Sequence, residues 1–413
     1  MSKVFYTSAR ALDFDFHVSL PAKLEELLEQ ADLKGFIDAN DYVAIKMHLG
    51  SHGAFRIVRP VFIRKIADAV RSAGGSPFVT DTVRIPGLEY LEVANANGIN
   101  HLSVGAPVIL ADGIFGKDVI NVPAGEILGE IGVASAIYEA QAMIVVSHCK
   151  GHIAAGYGGA IKNLGMGGIG ARNRDGLPER GRMHFAQNTQ LEWDMDICDF
   201  CEKCVNVCPH QAINFDDRQI FLDQARCAKC ARCARVCPSG ALVAPISQEI
   251  FQRSLAEAAG AVVSTFKPGK ILYINFVLEV QPECDCMPLA DVPVIQDQGV
   301  LISDDIVAIE MATLDMMGKA ALLPGSKGEE NSGKEGHILQ KITGKDPYSH
   351  VRAAAELGMG QIDYELVEIE RKSGKWENAM NFDPQDRIPL KPKGHGWHRE
   401  GPGHPHPCQG SGS

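Results

Sequence analysis

"YVAIKMHLGSHGAFRIVRPVFIRKIADAVRSAGGSPFVTDT", residues 42–82, decides the fold class. Its first part, "YVAIKMHLG" (42–50), is a short apolar run closed by a glycine, as strands are. Pro60 then opens "PVFIRKIADAVRSAGG", where apolar positions recur at helical spacing between a helix-starting proline and a terminal glycine pair. "SPFVTDT" (76–82) reads as the next strand. Strand, helix, strand at this spacing predicts an α/β fold, a mainly parallel sheet with helices on both faces. The same alternation continues with a helix in "VASAIYEAQA" and a strand in "AMIVVSH" (142–148). It resumes later with a helix in "EIFQRSLAEAAGAVVSTF", a strand in "KILYINFVLEV" (270–280) and another around "GVLIS". A polar, glycine-rich link at 324–337, a helix near 348–357 and a strand in "QIDYELVEIE" close the folded part.

Between these halves lies a stretch of different character. The expected organisation is an α/β domain in two parts, 1–190 and 246–370, around a small unit at 191–245. Two consecutive domains are the other reading. From 371 the chain has too little apolar content to pack, so an extended or disordered tail is expected. Its His395, His398, His404, His406 and Cys408 could bind metal only adventitiously.

The bulk numbers exclude several classes. The 413 residues are 45% hydrophobic and 22% charged, ordinary for a globular chain of two or three domains. A net charge of −11 gives no basic face for nucleic acid. No run approaches the roughly 18 apolar residues of a membrane span, and "MSKVFYTSARALDF" lacks the apolar core of a signal peptide. A soluble, cytoplasmic protein is expected. Twelve cysteines in such a chain point to metal or redox work rather than structural disulfides.

Eight of those cysteines form a repeat. "CDFCEKCVNVCPHQAI" (198–213) and "CAKCARCARVCPSGAL" (227–242) each spell C-x-x-C-x-x-C-x-x-x-C-P. Three thiolates two residues apart wrap one corner of a cubane cluster and leave one iron to a remote ligand. In two-cluster ferredoxins that ligand comes from the other copy. The spacing therefore assigns Cys198, Cys201, Cys204 and Cys237 to one 4Fe-4S cluster, and Cys227, Cys230, Cys233 and Cys208 to a second. Zinc is the competing reading of paired C-x-x-C motifs, but it has no use for two identical four-cysteine runs. Asp194, Asp196, Asp199 and Glu202 surround the first set; Arg226, Lys229, Arg232 and Arg235 surround the second. Positive charge favours the more negative reduced state, so the second cluster is expected to have the higher potential. Solvent exposure of these charges would shrink the difference.

The candidate pocket residues lie at predicted strand ends, where open α/β sheets bind ligands. "SHCKGHIAAGYGGAIKNLGMGGIGARNRDG" (147–176) offers His148, His152, Lys162 and Asn163 among bare backbone at Gly158 and Gly159, which suits an anion. A desolvated Lys162 is expected to have a lowered pKa and to link to a ligand. "GMGGIG" matches G-x-G-x-x-G, but no strand runs directly into it, so a nucleotide site is rejected. "HLGSHGAFRIVRP" contributes His48, His52, Arg56 and Arg59, and "TDT" contributes Asp81. Together they suit a carboxylate or phosphate. "QPECDCMPLADVPVIQDQG" holds Cys284 and Cys286, which could ligate a soft metal, act as redox thiols or be plain loop thiols.

The motifs in this order resemble a family of uncharacterised iron–sulfur centre proteins whose main domain has no assigned function and carries a ferredoxin module. They are "KMHLGSHGAFRIVRP…GGSPFVTDT", "SHCKGHIAAGYGGAIKNLGMG", the double cysteine run and "CDCMPLADVPVIQDQGVLIS". The resemblance spans about residues 40–320 and implies iron–sulfur binding. Cys149 stands where such relatives carry an aromatic residue and is not counted as a ligand. "HIAAGYGGAIK" is also similar to a lactate racemase pattern. That similarity would make Lys162 the anchor of a nickel-pincer cofactor and His152 the proton-transfer group.

The function expected from these readings is an iron–sulfur oxidoreductase. It would pass electrons from a redox protein through two clusters to a small anionic substrate, or to a flavin or nickel-type cofactor. That ligand would sit among His48, Arg56, Asp81, His152 and Lys162. The alternatives are a ferredoxin-like electron-transfer or maturation partner, and a racemase- or isomerase-like enzyme with structural clusters.

Overall fold

Eight strands form one sheet in the computed structural model, which describes residues 1–369 apart from 177, 185–190, 209–210, 217–218, 224–225, 228–230 and 245–246. The tail from 371, Lys229 and Cys230 therefore lie outside the described residues. The strands are β1 (Ser2–Ser8), β2 (Tyr42–Lys46), β3 (Ser76–Asp81), β4 (Val108–Leu110), β5 (Ala142–His148), β6 (Ile271–Val277), β7 (Gly299–Ser303) and β8 (Tyr364–Glu368). Their order across the sheet is β8-β1-β7-β6-β5-β2-β3-β4. Only β7 runs antiparallel to its two neighbours; β6, β5, β2, β3 and β4 are parallel throughout.

The central strands are buried on both faces, so they read as continuous apolar runs rather than alternating ones. In β5 every residue is buried. Alternation still sorts the side chains: Met143 and Val145 enter one core, while Ala142, Ile144 and Val146 enter the other. Helices α1 (Leu20–Gln30) and α2 (Pro60–Ser72) cover the second face. In α2 the buried residues Phe62, Ile63, Ile66, Ala67 and Val70 recur at the three-to-four spacing of one helical stripe, after Pro60 in the first turn. On the first face lie α3 (Ala160–Gly167), α4 (Gln248–Val263), α5 (Ile306–Lys319) and α6 (Ser349–Glu356). The expected α/β fold with a mainly parallel sheet and helices on both faces is the one observed.

Some expected elements change. The "YVAIKMHLG" strand ends at Lys46. "VASAIYEAQA" is no long helix: Glu130–Ala134 pairs as a strand with Val119–Pro123, leaving only a four-residue helix at Ser135–Tyr138. Ile131 and Val133 are buried there, and β-branched side chains prefer that pleated surface. The glycine-rich link contains a one-turn helix, Lys327–Glu330, capped by the Ser326 hydroxyl.

Strands before and after the cysteine-rich stretch belong to the same sheet, so that stretch interrupts one α/β unit. It has its own secondary structure: a hairpin of Ile213–Asp216 with Gln219–Leu222, a pairing of Glu192–Trp193 with Leu242–Val243, and helices Lys203–Val207 and Arg232–Val236. Each short helix is preceded by a left-handed residue, Glu202 and Ala231, at the same place in the two cysteine runs. A separate small core holds Cys204, Ile213, Cys233 and Leu242. No helix of the described residues is long and apolar enough to cross a membrane.

Candidate functional site: a basic cleft floored by two thiols

Parallel strands end at one edge, and β2, β3, β5 and β6 deliver their following loops there. The sheet order reverses between β2 and β5, a topological switch point where such sheets form crevices. Asn163 bridges the gap, its Nδ2 donating to the Val146 carbonyl at 2.9 Å and to Ser147 Oγ at 3.0 Å. Its Oδ1 accepts from Lys46 Nζ at 2.5 Å. A cleft of about 1380 Å³ opens over this edge. Four lysines and four arginines line it against two aspartates, in a chain whose net charge is −11. The cleft is thus a local trap for anions.

One wall is a buried polar network. Lys46, 1% exposed, pairs with Asp81 Oδ1 at 2.9 Å. Asp81 Oδ2 accepts from the Tyr90 hydroxyl at 2.5 Å and lies 3.0 Å from His48 Nδ1. Burial pushes the Asp81 carboxyl up, but Lys46, His48 and Tyr90 together hold it well below the usual carboxylate range. The His48 Nε2 is buried with no protein partner among the described residues, and His48 lines the cleft. A cleft-lining histidine with an aspartate on one nitrogen and no protein partner among the described residues on the other is suited to proton transfer.

Gly167 touches this network. A Cβ there would lie 2.6 Å from Lys46 Nζ and 2.7 Å from Asp81 Oδ1. Gly167→Ala should therefore cost about 1–3 kcal/mol in a denaturant titration, because it displaces a buried ion pair. Gly333→Ala, where nothing lies within 4 Å, should stay within about 0.5 kcal/mol. Equal effects would show that Gly167 is not held by this contact. Its neighbours in "GMGGIG" serve packing too: a Cβ on Gly165 would meet the Leu255 carbonyl at 2.5 Å.

The floor comes from β5, the following turn and the loop after β6. Glu310 on α5 accepts from the Ala160 and Ile161 N–H groups, the Tyr157 hydroxyl and Asn275 Nδ2. This buried carboxylate caps α3 and so sets the direction of Lys162 two residues on. Lys162 Nζ donates to Cys284 Sγ at 3.1 Å, and the Cys286 N–H donates to the same sulfur at 3.3 Å. His152 accepts the Ala154 and Ala155 N–H groups on Nδ1, which leaves Nε2 as the nitrogen that meets the Cys284 thiol. Ligand atoms of His152, Cys284 and Cys286 lie within 4.8 Å of one another.

Charges on the floor are set by these contacts. Burial pushes the Cys284 thiol up, but the Cys286 thiol, Lys162 and His152 more than offset it and hold Cys284 well below an ordinary cysteine. Cys286 shifts the other way, chiefly because it donates to Cys284. The pair therefore shares one proton. Lys162 is raised, not lowered as desolvation alone predicts: burial opposes its charge, yet the Cys284 and Cys286 sulfurs overcome that. Burial keeps His152 neutral.

Asp285, between the two cysteines, ties the loop down. Its Oδ1 contacts His148 Nδ1 at 2.9 Å and accepts from Gln281 Nε2 at 2.9 Å; Lys150 Nζ lies 2.8 Å from Oδ2. His148 is fully engaged, its Nε2 meeting the Leu278 carbonyl at 2.8 Å. Gly151 abuts the same loop, and a Cβ there would lie 2.0 Å from the Pro282 carbonyl oxygen.

Among the expected residues, His48, Asp81, His148, His152, Lys162, Gly159 and Asn163 line the cleft. Gly158 packs behind it, where a Cβ would contact Lys150, Lys162 and His152. Arg56 and Arg59 do not line it: both grip Glu279, at 2.8 and 2.9 Å, and Arg56 also donates to the Asp291 carbonyl. They brace the thiol-bearing loop from outside, as Lys327 does through Glu283 and Asp291. His52 is exposed and paired with Glu89. Cys149 is fully buried and accepts from Tyr157. Besides Arg232, the arginines that line the cleft are Arg84, Arg172 and Arg180; among the described residues they bond to Ser51 Oγ and to the Gly176 and Val83 carbonyls rather than to carboxylates.

Sequence reading missed these arginines, which sit in loops or, for Arg180, at the start of a short 3-10 helix, without periodicity. Lys46 and Asp285 did leave a signal: a lysine closing an apolar strand, and an acid between two cysteines.

The cysteine runs meet in one place that the described residues show. Cys198, Cys201, Cys204 and Cys237 line one small cavity with Phe200, Phe215 and Ile220. Of the second set, Cys208, Cys227 and Cys233 are described and Cys230 is not. The charged residues flanking both sets are exposed, Lys229 again being undescribed. Arg232, beside Cys233, lines the large cleft, and Arg235 acts on His184, which also lines it.

Fold and site define a mixed α/β protein with a basic cleft at its switch point, a half-buried histidine on a buried aspartate at one wall and a lysine-paired cysteine on its floor. The chain belongs to the family described as a domain of unknown function (DUF362), whose model matches residues 43–315. Among solved structures it is similar to a Thermotoga maritima protein from a structural-genomics consortium, at 12% identity and a TM-score of 0.35. The match covers 70% of this chain and 57% of that one, so the chain spans little more than half of that protein's length. It is also similar to the lactate racemase apoprotein from Thermoanaerobacterium thermosaccharolyticum, at 11% identity, a TM-score of 0.34 and coverage of 89% and 83%. No curated protein matches it.

Proposed function

We infer that the protein is an iron–sulfur oxidoreductase acting on a small anionic substrate in the basic cleft. The observation that carries this reading is Arg232: the residue beside Cys233 lines the same cleft as Lys46, Asp81, Lys162 and Cys286. A cysteine run and an anion site thus share one wall.

The residues fit the group they are assigned to hold. Four cysteines from two distant runs line one cavity with Phe200, Phe215, Ile220 and Leu242 as well as Asp199 and Glu202, and burial, which pushes the Cys237 thiol up, is more than offset by the Leu242, Ala241 and Gly240 N–H groups and Ser239. N–H groups aimed at a sulfur suit a ligating thiolate. A single zinc ion fits less well. Its thiolates would lie about 3.8 Å apart, from a Zn–S distance of about 2.3 Å in a tetrahedron. Among the described residues no three cysteines of the two runs gather within 4.8 Å. When bound, two 4Fe-4S clusters on Cys198, Cys201, Cys204, Cys237 and on Cys227, Cys230, Cys233, Cys208 supply single electrons. The α/β residues do the rest: Arg84, Arg172 and Arg180 bind the anion, and His48, poised by Asp81, moves a proton.

The test uses full-length protein purified anaerobically. Iron analysis should give about eight irons per chain. After dithionite reduction, a panel of small carboxylate and disulfide acceptors should include one that restores the oxidised absorbance in a saturable manner. Arg84→Gln and Arg180→Gln should raise its half-saturation about tenfold each, with iron content unchanged. Four irons or fewer would sink the two-cluster assignment. Reoxidation indifferent to both arginines would leave an electron carrier or maturation partner as the better reading, and stoichiometric nickel would favour a racemase-like one.

A further inference from the structure

We propose that Cys284 and Cys286 are a redox-active pair that reduces small anionic disulfides bound in the cleft. The proposal deepens the reading of the cleft as an electron-receiving anion site and rests on it for the supply of electrons.

The geometry divides the work between the sulfurs. Cys286 lines the cleft, whereas Cys284 is 1% exposed beneath it. Cys284 is held as a thiolate by the Lys162 ammonium and the Cys286 N–H, and among the described residues its thiol neighbour at the site is Cys286. An arriving disulfide R–S–S–R′ therefore meets Cys286. As Cys286 attacks one sulfur, its proton passes to Cys284, and R′–S⁻ leaves. R′–S⁻ takes that proton back from Cys284. The restored Cys284 thiolate then attacks the Cys286 sulfur of the mixed disulfide, and R–S⁻ leaves to take a proton from solvent. The sum is one thiolate, one thiol, one disulfide and one proton giving an intrachain disulfide and two free thiols. Two electrons and one proton restore the starting pair, matching two single-electron centres. A disulfide closed over one intervening residue is strained, hence oxidising and readily re-reduced.

A soft metal is the competing occupant, and two contacts oppose it. The Lys162 ammonium sits on the sulfur a cation would need. The His152 Nδ1 accepts two backbone N–H groups, so the neutral ring carries its proton on Nε2 and offers no lone pair to the thiols. Arg84, Arg172 and Arg180 suit the carboxylates of a charged disulfide. The stacked rings of His184, Phe251 and His152 link the cleft wall near Arg235 with this floor.

Glutathione disulfide is the probe, with differential alkylation and mass analysis of the peptide carrying residues 284–286. In wild-type, full-length anaerobic protein that peptide should lose two hydrogens and regain them across a glutathione redox series, with a two-electron dependence. Cys284→Ser should stop at a stable adduct of one glutathione on Cys286. Cys286→Ser should form no rapid adduct. Lys162→Met should slow the wild-type reaction about tenfold or more, since less of the pair is then ionised. If the wild-type peptide stays fully alkylatable under every poise, or carries a stoichiometric metal that blocks alkylation, the proposal fails. So does an adduct confined to Cys284. None of these outcomes depends on iron content, so a failed cluster assignment is told apart from failed thiol chemistry.

Discussion

Replacing Asp81 by Ala should destabilise the protein by about 3–5 kcal/mol, the cost of breaking a buried ion pair by removing one partner. Lys46 and Asp81 are 1% and 3% exposed, so neither charge can relax into water. The loss would leave the Lys46 ammonium, among the described residues, with Asn163 Oδ1 at 2.5 Å, and would remove the carboxylate acceptor of the Tyr90 hydroxyl. A double variant, Lys46→Met with Asp81→Leu, should recover most of that stability, because it buries no charge. The pH dependence has a definite sign. Asp81 is depressed well below an ordinary carboxyl. Its contribution is therefore present above the unfolded value near pH 4 and is lost only as pH falls through the lower, folded value. Denaturant midpoints at neutral pH and in acid check both points. A single-variant cost below about 1 kcal/mol would mean that water reaches this pair.

Replacing Cys237 by Ala should remove about four of about eight irons, and the loss should fall on the partner run. The reason is the cavity shared by Cys237 with Cys198, Cys201 and Cys204, although more than thirty residues separate Cys204 from Cys237. After anaerobic reconstitution, Cys198, Cys201 and Cys204 should become open to alkylation while Cys227 and Cys233 stay protected. Cys208→Ala should give the mirror result. If Cys237→Ala exposes Cys227 and Cys233 instead, each run holds its own cluster and the crossed assignment is wrong.

The site was legible in the sequence to unequal degrees. Lys162, His152, His48 and Asp81 stood out because polar residues followed apolar strands or sat among glycines. They do line one cleft. Arg56 and Arg59 carried the same signal and were misleading, because their partner Glu279 lies over two hundred positions away. The direction of the Lys162 shift was likewise hidden, since burial alone lowers a lysine and only the Cys284 sulfur at 3.1 Å reverses it.

The sequence by itself determined the α/β class, the parallel central strands and the pairing of Pro60–Ser72 with its flanking strands. These follow from local periodicity and from burial on both faces, which leave their mark within a few residues. Tertiary structure decided what such periods do not record. It reversed β7 within the sheet and made the order of strands change direction between β2 and β5. It drew "CDC" beneath "GYGGAIK" and brought Arg232 to the cleft wall. The physical reason is range. A strand or helix is specified by neighbours along the chain, whereas a charge or a thiol acquires its chemistry from whichever distant groups the fold sets within a few ångströms of it.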